Sequence, residues 1–184
     1  MPRLFVAIDL PEPLKQQLSA LSTPIDGVRW TPTANLHLTL RFIGDVPQGA
    51  ADEIQTALPD VQSPPFSLRL SGVGTFPSHS RKPPRIIWAG LSNPPALQSL
   101  HEKIELVIRD LGLTPDNRPI TPHITLGRVK SADDHTVSAI GRFIEHNAAY
   151  HSEAFIPGEF VLMESQPSAS GQRYTTLTRY PLTD

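Results

Sequence analysis

The chain has 184 residues, enough to bury the core of one ordinary domain, and its composition of 39% hydrophobic and 18% charged residues excludes disorder along its whole length. Its formal net charge of −2 excludes a global positive field for duplex nucleic acid, so a polyanionic partner must be held locally. The lack of cysteine excludes disulfides, thiol nucleophiles and cysteine-ligated metal centres, and fits a reducing compartment.

The sequence predicts neither a signal peptide nor a transmembrane helix. The first apolar run is short, contains Asp9, and is followed at once by Pro11 and Pro13. No stretch approaches the roughly 20 apolar residues that a membrane-spanning helix needs. We therefore expect a cytoplasmic protein.

Periodicity in the first half of the chain predicts the element order β-α-β-α-β. Apolar residues alternate with polar ones where a half-buried strand is expected, and recur every three or four residues where a helix is expected. In chain order the elements are a strand at 3–10, a helix with Leu14, Leu18 and Leu21 on one face, a strand within NLHLTLRF (35–42), a helix at 48–58 and a strand at 66–73.

The second half repeats this order. Its elements are a strand at 85–91, a helix at 94–112, a strand at HITL (123–126), a helix at 131–146, and strands within 153–165 and 173–180. Ser131 is the predicted N-cap of the last helix, and Val137 is predicted to face inward. The repeat of 1–76 and 82–182 predicts one domain of two similar lobes over residues 1–184.

One polar pair occurs in both halves, at corresponding places. On the strand of the first half, His37 and Thr39 share a face and lie roughly 7 Å apart, at about 3.3–3.4 Å per residue. His123 and Thr125 stand in the same relation in the second half. Packing explains one histidine and one threonine on a strand, but gives no reason for the same pair twice. The two pairs therefore predict a shared site.

Two histidines that face each other across one groove fit in-line displacement at phosphorus, where attacking and leaving oxygens lie on opposite sides. A neutral imidazole takes a proton from the nucleophile and a protonated one gives a proton to the leaving oxygen. The unperturbed imidazole pKa of about 6.5 suits both tasks. The threonine hydroxyls donate to the non-bridging oxygens as charge builds. A near-symmetric pair does not say which histidine is the base; our hypothesis makes His123 the base and His37 the acid.

The remaining histidines do not indicate a metal centre. A zinc site without cysteine needs three histidine or carboxylate ligands, and threonine is a poor ligand. The other histidines are scattered over loops and helices and are expected to be solvated: His79, His101, His135, His146 and His151. The glycine motifs of nucleophile elbows, P-loops and dinucleotide-binding turns are absent from the sequence.

With both motifs in view, the sequence resembles the two-histidine phosphoesterase superfamily. The signature of that superfamily is a pair of H-x-[ST]-x motifs, matched here by HLTL and HITL. The stretches RLFVAIDLP, NLHLTLRFIG and RPITPHITLGR are similar to its bacterial and archaeal branch, first called 2′-5′ RNA ligase and better described as RNA 2′,3′-cyclic phosphodiesterase. The resemblance covers nearly the whole chain.

The resemblance implies a bilobal α+β fold in which antiparallel sheets line a central groove about a pseudo-twofold axis. It implies hydrolysis of a 2′,3′-cyclic phosphate on an RNA end or nucleotide to a 2′-phosphate, together with a reversible 2′-5′ RNA ligation. It implies that no metal or cofactor is required, and we expect a monomer. His37, Thr39, His123 and Thr125 match the motif as its catalytic residues.

Three further residues are predicted to bind substrate. Arg128 matches a family arginine placed five residues after the second histidine, which helps to hold the phosphate. Strict alternation points Arg128 away from that histidine, so a bend near Gly127 is expected to bring it round. Arg41 shares a face with His37 by alternation and is predicted to approach the groove, with a solvated strand-end charge as the alternative. Phe42 is predicted to stack on a base, with a core position as the alternative.

Two other interpretations of the groove stay open. One is a non-catalytic module that binds RNA ends or nucleotides. The other keeps the chemistry but acts on 2′-5′ oligonucleotides or small cyclic phosphates. The basic loop SHSRKPPR (78–85) is expected to be a solvated connector, with contact to an RNA backbone as the alternative.

Overall fold

A computed structural model describes residues 1–78, 81–92 and 94–184 of the chain, and within these residues it contains eight strands and four α-helices. The strands are β1 (Arg3–Asp9), β2 (Val28–Trp30), β3 (His37–Asp45), β4 (Leu70–Phe76), β5 (Ile86–Leu91), β6 (His123–Val129), β7 (Glu159–Ser168) and β8 (Gly171–Pro181). The helices are α1 (Glu12–Leu21), α2 (Gln48–Ala57), α3 (Pro95–Asp110) and α4 (Asp134–Asn147).

The strands form two antiparallel sheets of four, in the orders β3-β1-β7-β8 and β2-β6-β5-β4. The α+β class and the antiparallel sheets are as predicted. Each motif strand pairs with the first strand of its own half, β3 with β1 and β6 with β5. The other strands cross over: β2 and β4 of the first half pair with β6 and β5, and β7 of the second half pairs with β1 and carries β8 with it. Neither sheet is therefore built from one half of the sequence alone.

The core lies between the inner faces of the sheets and the helices that cover them. Helix α3 shows how the sequence produces it: Leu97, Leu100 and Ile104 recur at helical spacing and are fully buried. Pro95 occupies the first turn of this helix, where its missing N–H is not needed. Gly112 follows its end with φ at 79°, a conformation that costs glycine little.

Both motif strands change their alternation at the same place. In the pairing of β3 with β1, Thr39 lies opposite Ala7 and Arg41 opposite Val6, so Leu40 is skipped. In the pairing of β6 with β5, Thr125 lies opposite Trp88 and Gly127 opposite Ile87, which skips Leu126 in the same way. A β-bulge of this kind reverses the faces of the residues that follow it directly. The fifth residue after each histidine therefore joins the face of that histidine.

Several local predictions need correction. Strand β4 begins at Leu70 rather than at residue 66, and the short strand β2 was not predicted. The N-cap of α4 is Asp133, not Ser131, because its carboxylate accepts a hydrogen bond from the backbone N–H of Thr136 at 2.8 Å. Val137 is 39% exposed, whereas Thr136 faces inward.

No helix in the described part of the chain is both long enough and apolar enough to cross a membrane.

Candidate active site

The two motif histidines are the first residues of β3 and β6, and their rings are held in the same way. The Nδ1–H of His37 donates to the carbonyl of Asn35 at 2.7 Å. The Nδ1–H of His123 donates to the carbonyl of Thr121 at 2.8 Å, again two residues upstream. Because a carbonyl can only accept, each Nδ1 carries the proton and each Nε2 is the atom free to exchange one.

A cavity of about 140 Å³ lies between the motif strands, and five of the predicted site residues line it: His37, Thr39, Phe42, Thr125 and Arg128. Strands β3 and β6 belong to different sheets and contact each other across this groove. His123 lies close enough for its charge to lower the pKa of His37. The structure thus brings the two motifs together from opposite sheets.

The His37 ring is half-buried against two aromatic side chains. The Phe5 ring lies 4.9 Å from it, and Tyr174 meets it edge-on at 5.2 Å. This burial lowers the pKa of His37, while the Asn35 carbonyl and the Asp9 carboxylate act against the shift. The neutral form is therefore favoured, and in that form the Thr39 hydroxyl donates to Nε2 at 2.9 Å.

The His123 ring has a comparable aromatic neighbour, which comes from β4 of the same sheet. The Phe76 ring meets it edge-on with centroids 5.0 Å apart, and Trp88 packs behind Phe76 at 5.4 Å. A Cβ at Gly74 would lie 2.3 Å from the Trp88 ring, so only glycine leaves that ring its place. Each histidine ring therefore packs against aromatic side chains.

Arg128 and Phe42 occupy equivalent positions, five residues after their histidines, because of the two bulges. Arg128 is exposed and lines the cavity with Thr125, as the expected bend near Gly127 requires. Phe42 lines the same cavity and is 45% exposed, so it is not a core residue. The Arg3 guanidinium lies over the Phe42 ring, 5.3 Å from its centroid.

The prediction that Arg41 shares the face of His37 is wrong. The bulge turns Arg41 inward, where it is 6% exposed. Its Nε forms an ion pair with Glu105 of α3 at 2.5 Å, and its other nitrogens donate to the carbonyls of Phe42 and Thr114. Its donors are therefore occupied by the protein, which removes Arg41 from the substrate groove. The ion pair ties β3 to α3, and the hydrogen bond to Thr114 ties β3 to the segment that leads into β6.

The other predicted features lie away from the cavity. His101 is buried rather than solvated, with Nδ1–H donating to the carbonyl of Leu40 at 2.8 Å. In the basic loop, Arg81, Lys82 and Arg85 are exposed and do not line the cavity, while 79–80 lie outside the described residues. Within the residues that the structure describes, no three histidine, aspartate or glutamate side chains are grouped to hold a metal ion.

Sequence reasoning missed several residues that line the cavity. Phe5, Thr31, Asn35, Ser165 and Tyr174 all contribute to it, from four segments. Alternation within RYTTLTRY (173–180) carries a signal for Tyr174, but nothing local tells which sheet its strand joins. The apolar run that begins at Arg3 conceals Phe5, because both faces of β1 are covered.

Two sheets that bring a histidine and a threonine from each half of the chain to one groove, with an arginine beside them, define a two-histidine phosphoesterase. The model of the LigT-like phosphoesterase family matches the chain twice, at residues 8–88 and 90–170. The chain belongs to this family, as the resemblance of its motifs predicted.

Known relatives agree with this assignment. The RNA 2′,3′-cyclic phosphodiesterase of Geobacillus stearothermophilus is 37% identical over 130 residues, which are 67% of this chain and 41% of that protein. The RNA 2′,3′-cyclic phosphodiesterase of Escherichia coli K12 is 30% identical over 185 residues, covering 98% of this chain and 97% of that protein. The crystal structure of E. coli LigT complexed with 3′-AMP has a TM-score of 0.79 and 28% identity, with 100% of both chains covered.

Proposed function

We propose that the protein hydrolyses the 2′,3′-cyclic phosphate at RNA ends to a 2′-phosphate. The observation that carries this proposal is the meeting of His37, Thr39, Thr125 and Arg128 at one cavity, with His123 beside it. The names of the curated relatives, RNA 2′,3′-cyclic phosphodiesterases, support the same substrate.

In the proposed reaction a water molecule attacks the phosphorus and the bond from phosphorus to O3′ breaks. One Nε2 takes a proton from the water, and the other Nε2 gives a proton to O3′. Thr39, Thr125 and Arg128 donate to the non-bridging oxygens, on which charge accumulates. The same displacement, with the 5′-hydroxyl of a second RNA in place of water, forms a 2′-5′ phosphodiester and frees O3′, and this is the proposed 2′-5′ ligation.

The environment of His37 favours an assignment opposite to our sequence-based hypothesis. A general base must be neutral before the reaction, and burial lowers the pKa of His37 so that its neutral form prevails near pH 7. We therefore assign the base to His37, which leaves His123 to protonate O3′. In this state the Nε2 of His37 carries no proton and accepts a hydrogen bond from the Thr39 hydroxyl. In the proposed reaction the attacking water takes the place of that hydroxyl.

Two substitutions beside His37 should move one limb of the pH profile in opposite directions. Asp9 raises the pKa of His37, so Asp9→Asn should lower that pKa further. Lys15, paired with Asp9 at 2.8 Å, lowers it, so Lys15→Met should raise that pKa. A base with a lower pKa stays neutral at lower pH. The acidic limb of the kcat/KM profile should therefore move to lower pH for Asp9→Asn and to higher pH for Lys15→Met.

The two variants serve as controls for each other, since both break the same ion pair but change the charge near His37 in opposite senses. A shift of the acidic limb in the same direction for both would point to a loss of packing instead. A shift confined to the alkaline limb would give His37 the role of acid.

The test of the proposed function is the product formed from defined substrates. We expect adenosine 2′,3′-cyclic phosphate and a short RNA ending in a cyclic phosphate both to give 2′-phosphates. Phosphorus NMR identifies the products, and the rates should be unaffected by EDTA. A product with a 3′-phosphate, or a rate abolished by EDTA and restored by a metal ion, would contradict the mechanism. Binding without conversion would favour the non-catalytic module.

A further inference from the structure

A second cavity, of about 440 Å³, adjoins the catalytic cavity. Six residues line both cavities: Thr31, Asn35, Phe42, Arg128, Ser165 and Tyr174. We call this second cavity the basin. The catalytic cavity alone, at about 140 Å³, is smaller than the roughly 300–1,000 Å³ typical of small-molecule sites, whereas the basin falls within that range. A substrate seated at the histidines therefore has room to continue into the basin.

The basin carries only positive formal charge among the described residues that line it. Four cations contribute: Arg3, Arg29, Arg128 and Lys130. No aspartate or glutamate is among its lining residues, although acidic residues outnumber basic ones in the whole chain, 18 to 16. None of the four takes part in an ion pair within the described part of the chain. A cluster of unneutralised cations at a cavity attracts a polyanion.

Arg128 lines both cavities, whereas Arg3, Arg29 and Lys130 line only the basin. Arg128 faces the catalytic cavity and is committed there in the proposed mechanism. Lys130 lies just past the end of β6, about 17 Å along the chain from Thr125 at about 3.3 Å per residue. Arg29, on the neighbouring strand β2, donates to the carbonyl of Ser170 and so fixes one wall of the basin. Three cations thus remain for phosphates other than the cyclic one.

We propose that the basin is a subsite for the phosphodiester groups of the nucleotides that precede the cyclic end, and that Arg3, Arg29 and Lys130 bind them. This inference rests on the proposed function. A cyclic mononucleotide has one phosphate, which the histidines, threonines and Arg128 occupy, and nothing for Arg3, Arg29 and Lys130. Each upstream nucleotide brings one more phosphate, and the exposed Phe42 ring offers a face on which its base stacks.

The test compares adenosine 2′,3′-cyclic phosphate with an RNA trinucleotide that ends in a cyclic phosphate, at several salt concentrations. We expect kcat/KM to favour the trinucleotide at low salt. In the double variant Arg3→Ala/Lys130→Ala, the ratio of trinucleotide to mononucleotide kcat/KM should fall about tenfold, since exposed charge pairs contribute up to about fivefold each. The salt dependence for the trinucleotide should weaken by about 1.4 in log–log slope, about 0.7 per lost contact.

The matched control is Arg69→Ala/Arg142→Ala, which removes two exposed arginines outside the basin and should leave the ratio and the slope unchanged. Equal kcat/KM for the two substrates, or an undiminished preference in the basin variant, would overturn the proposal. So would equally fast hydrolysis of a cyclic mononucleotide with a 5′-triphosphate, because the basin would then serve a nucleotide polyphosphate.

A binding arm separates this inference from the proposed function. In protein carrying His37→Ala/His123→Ala, fluorescence anisotropy follows a labelled RNA trinucleotide, with Arg3→Ala/Lys130→Ala added in a second sample. Binding that weakens on this addition supports the basin even if the wild-type protein hydrolyses no cyclic phosphate. Binding that is unchanged overturns the basin even if hydrolysis occurs.

Discussion

Alanine at either His37 or His123 will lower kcat/KM for a cyclic-phosphate RNA end by about 10³- to 10⁴-fold, near the upper range for loss of one general acid or base. Nε2 is the ring nitrogen of each histidine that is free to exchange a proton, since each Nδ1 is engaged by a backbone carbonyl. Single-turnover measurements over pH 5 to 9 should show a bell-shaped profile for the wild type, with one limb lost in each variant.

The fold should survive both substitutions because neither ring belongs to the main core. His37 is half-buried against Phe5 and Tyr174, and His123 against Phe76, so each substitution removes one peripheral contact. Circular dichroism and thermal unfolding check this point. His135→Ala, an exposed histidine on α4, is the matched control and should be fully active. The double variant should be little worse than either single one, since the pair acts as a unit; full turnover in either single variant would remove paired-histidine catalysis.

On the motif strands, the departures from simple alternation share one cause. Alternation predicts faces only while the strand stays regular, and both motif strands contain a bulge directly after their threonine. In β6 the glycine at 127 gave a local reason to expect a bend, and Arg128 was correctly turned toward the cavity. In β3 the equivalent position is Arg41, which offers no such signal. Carrying the bend across the repeat would have turned Arg41 inward and Phe42 outward.

The pairing of the strands could not be predicted from local sequence patterns, for a different reason. Periodicity identifies a strand but not the strand beside which it lies, because hydrogen bonds between strands are made by backbone groups that every residue shares. The repeat made separate lobes for the two halves the simplest expectation. Instead, β4 of the first half joins the sheet of β6, so Phe76 of the first half lies against His123 of the second half. Tyr174 reaches His37 through β8 in the same way.

Arg128→Gln should lower kcat by about 10²- to 10³-fold with a smaller change in KM, the range for loss of one preorganised donor to a developing anion. Among the described residues that line the catalytic cavity, Arg128 is the only arginine or lysine. The non-bridging oxygens gain charge as water attacks, so the interaction with a guanidinium strengthens between the ground state and the transition state. Arg128→Lys should recover part of the rate, because the charge remains but the two-pronged geometry is lost.

The pseudo-equivalent residue provides the sharpest control. Phe42 stands at the same position in β3, lines the same cavity and carries no charge, so Phe42→Leu should raise KM for an RNA end through lost stacking, with kcat nearly constant. The two equivalent residues, each five positions after its histidine, would then have different roles: Arg128 would stabilise the transition state and Phe42 would bind the substrate. If Arg128→Gln instead raised KM with kcat preserved, Arg128 would be a ground-state anchor. The two threonine hydroxyls would then remain as the donors to the charge that develops on the phosphate.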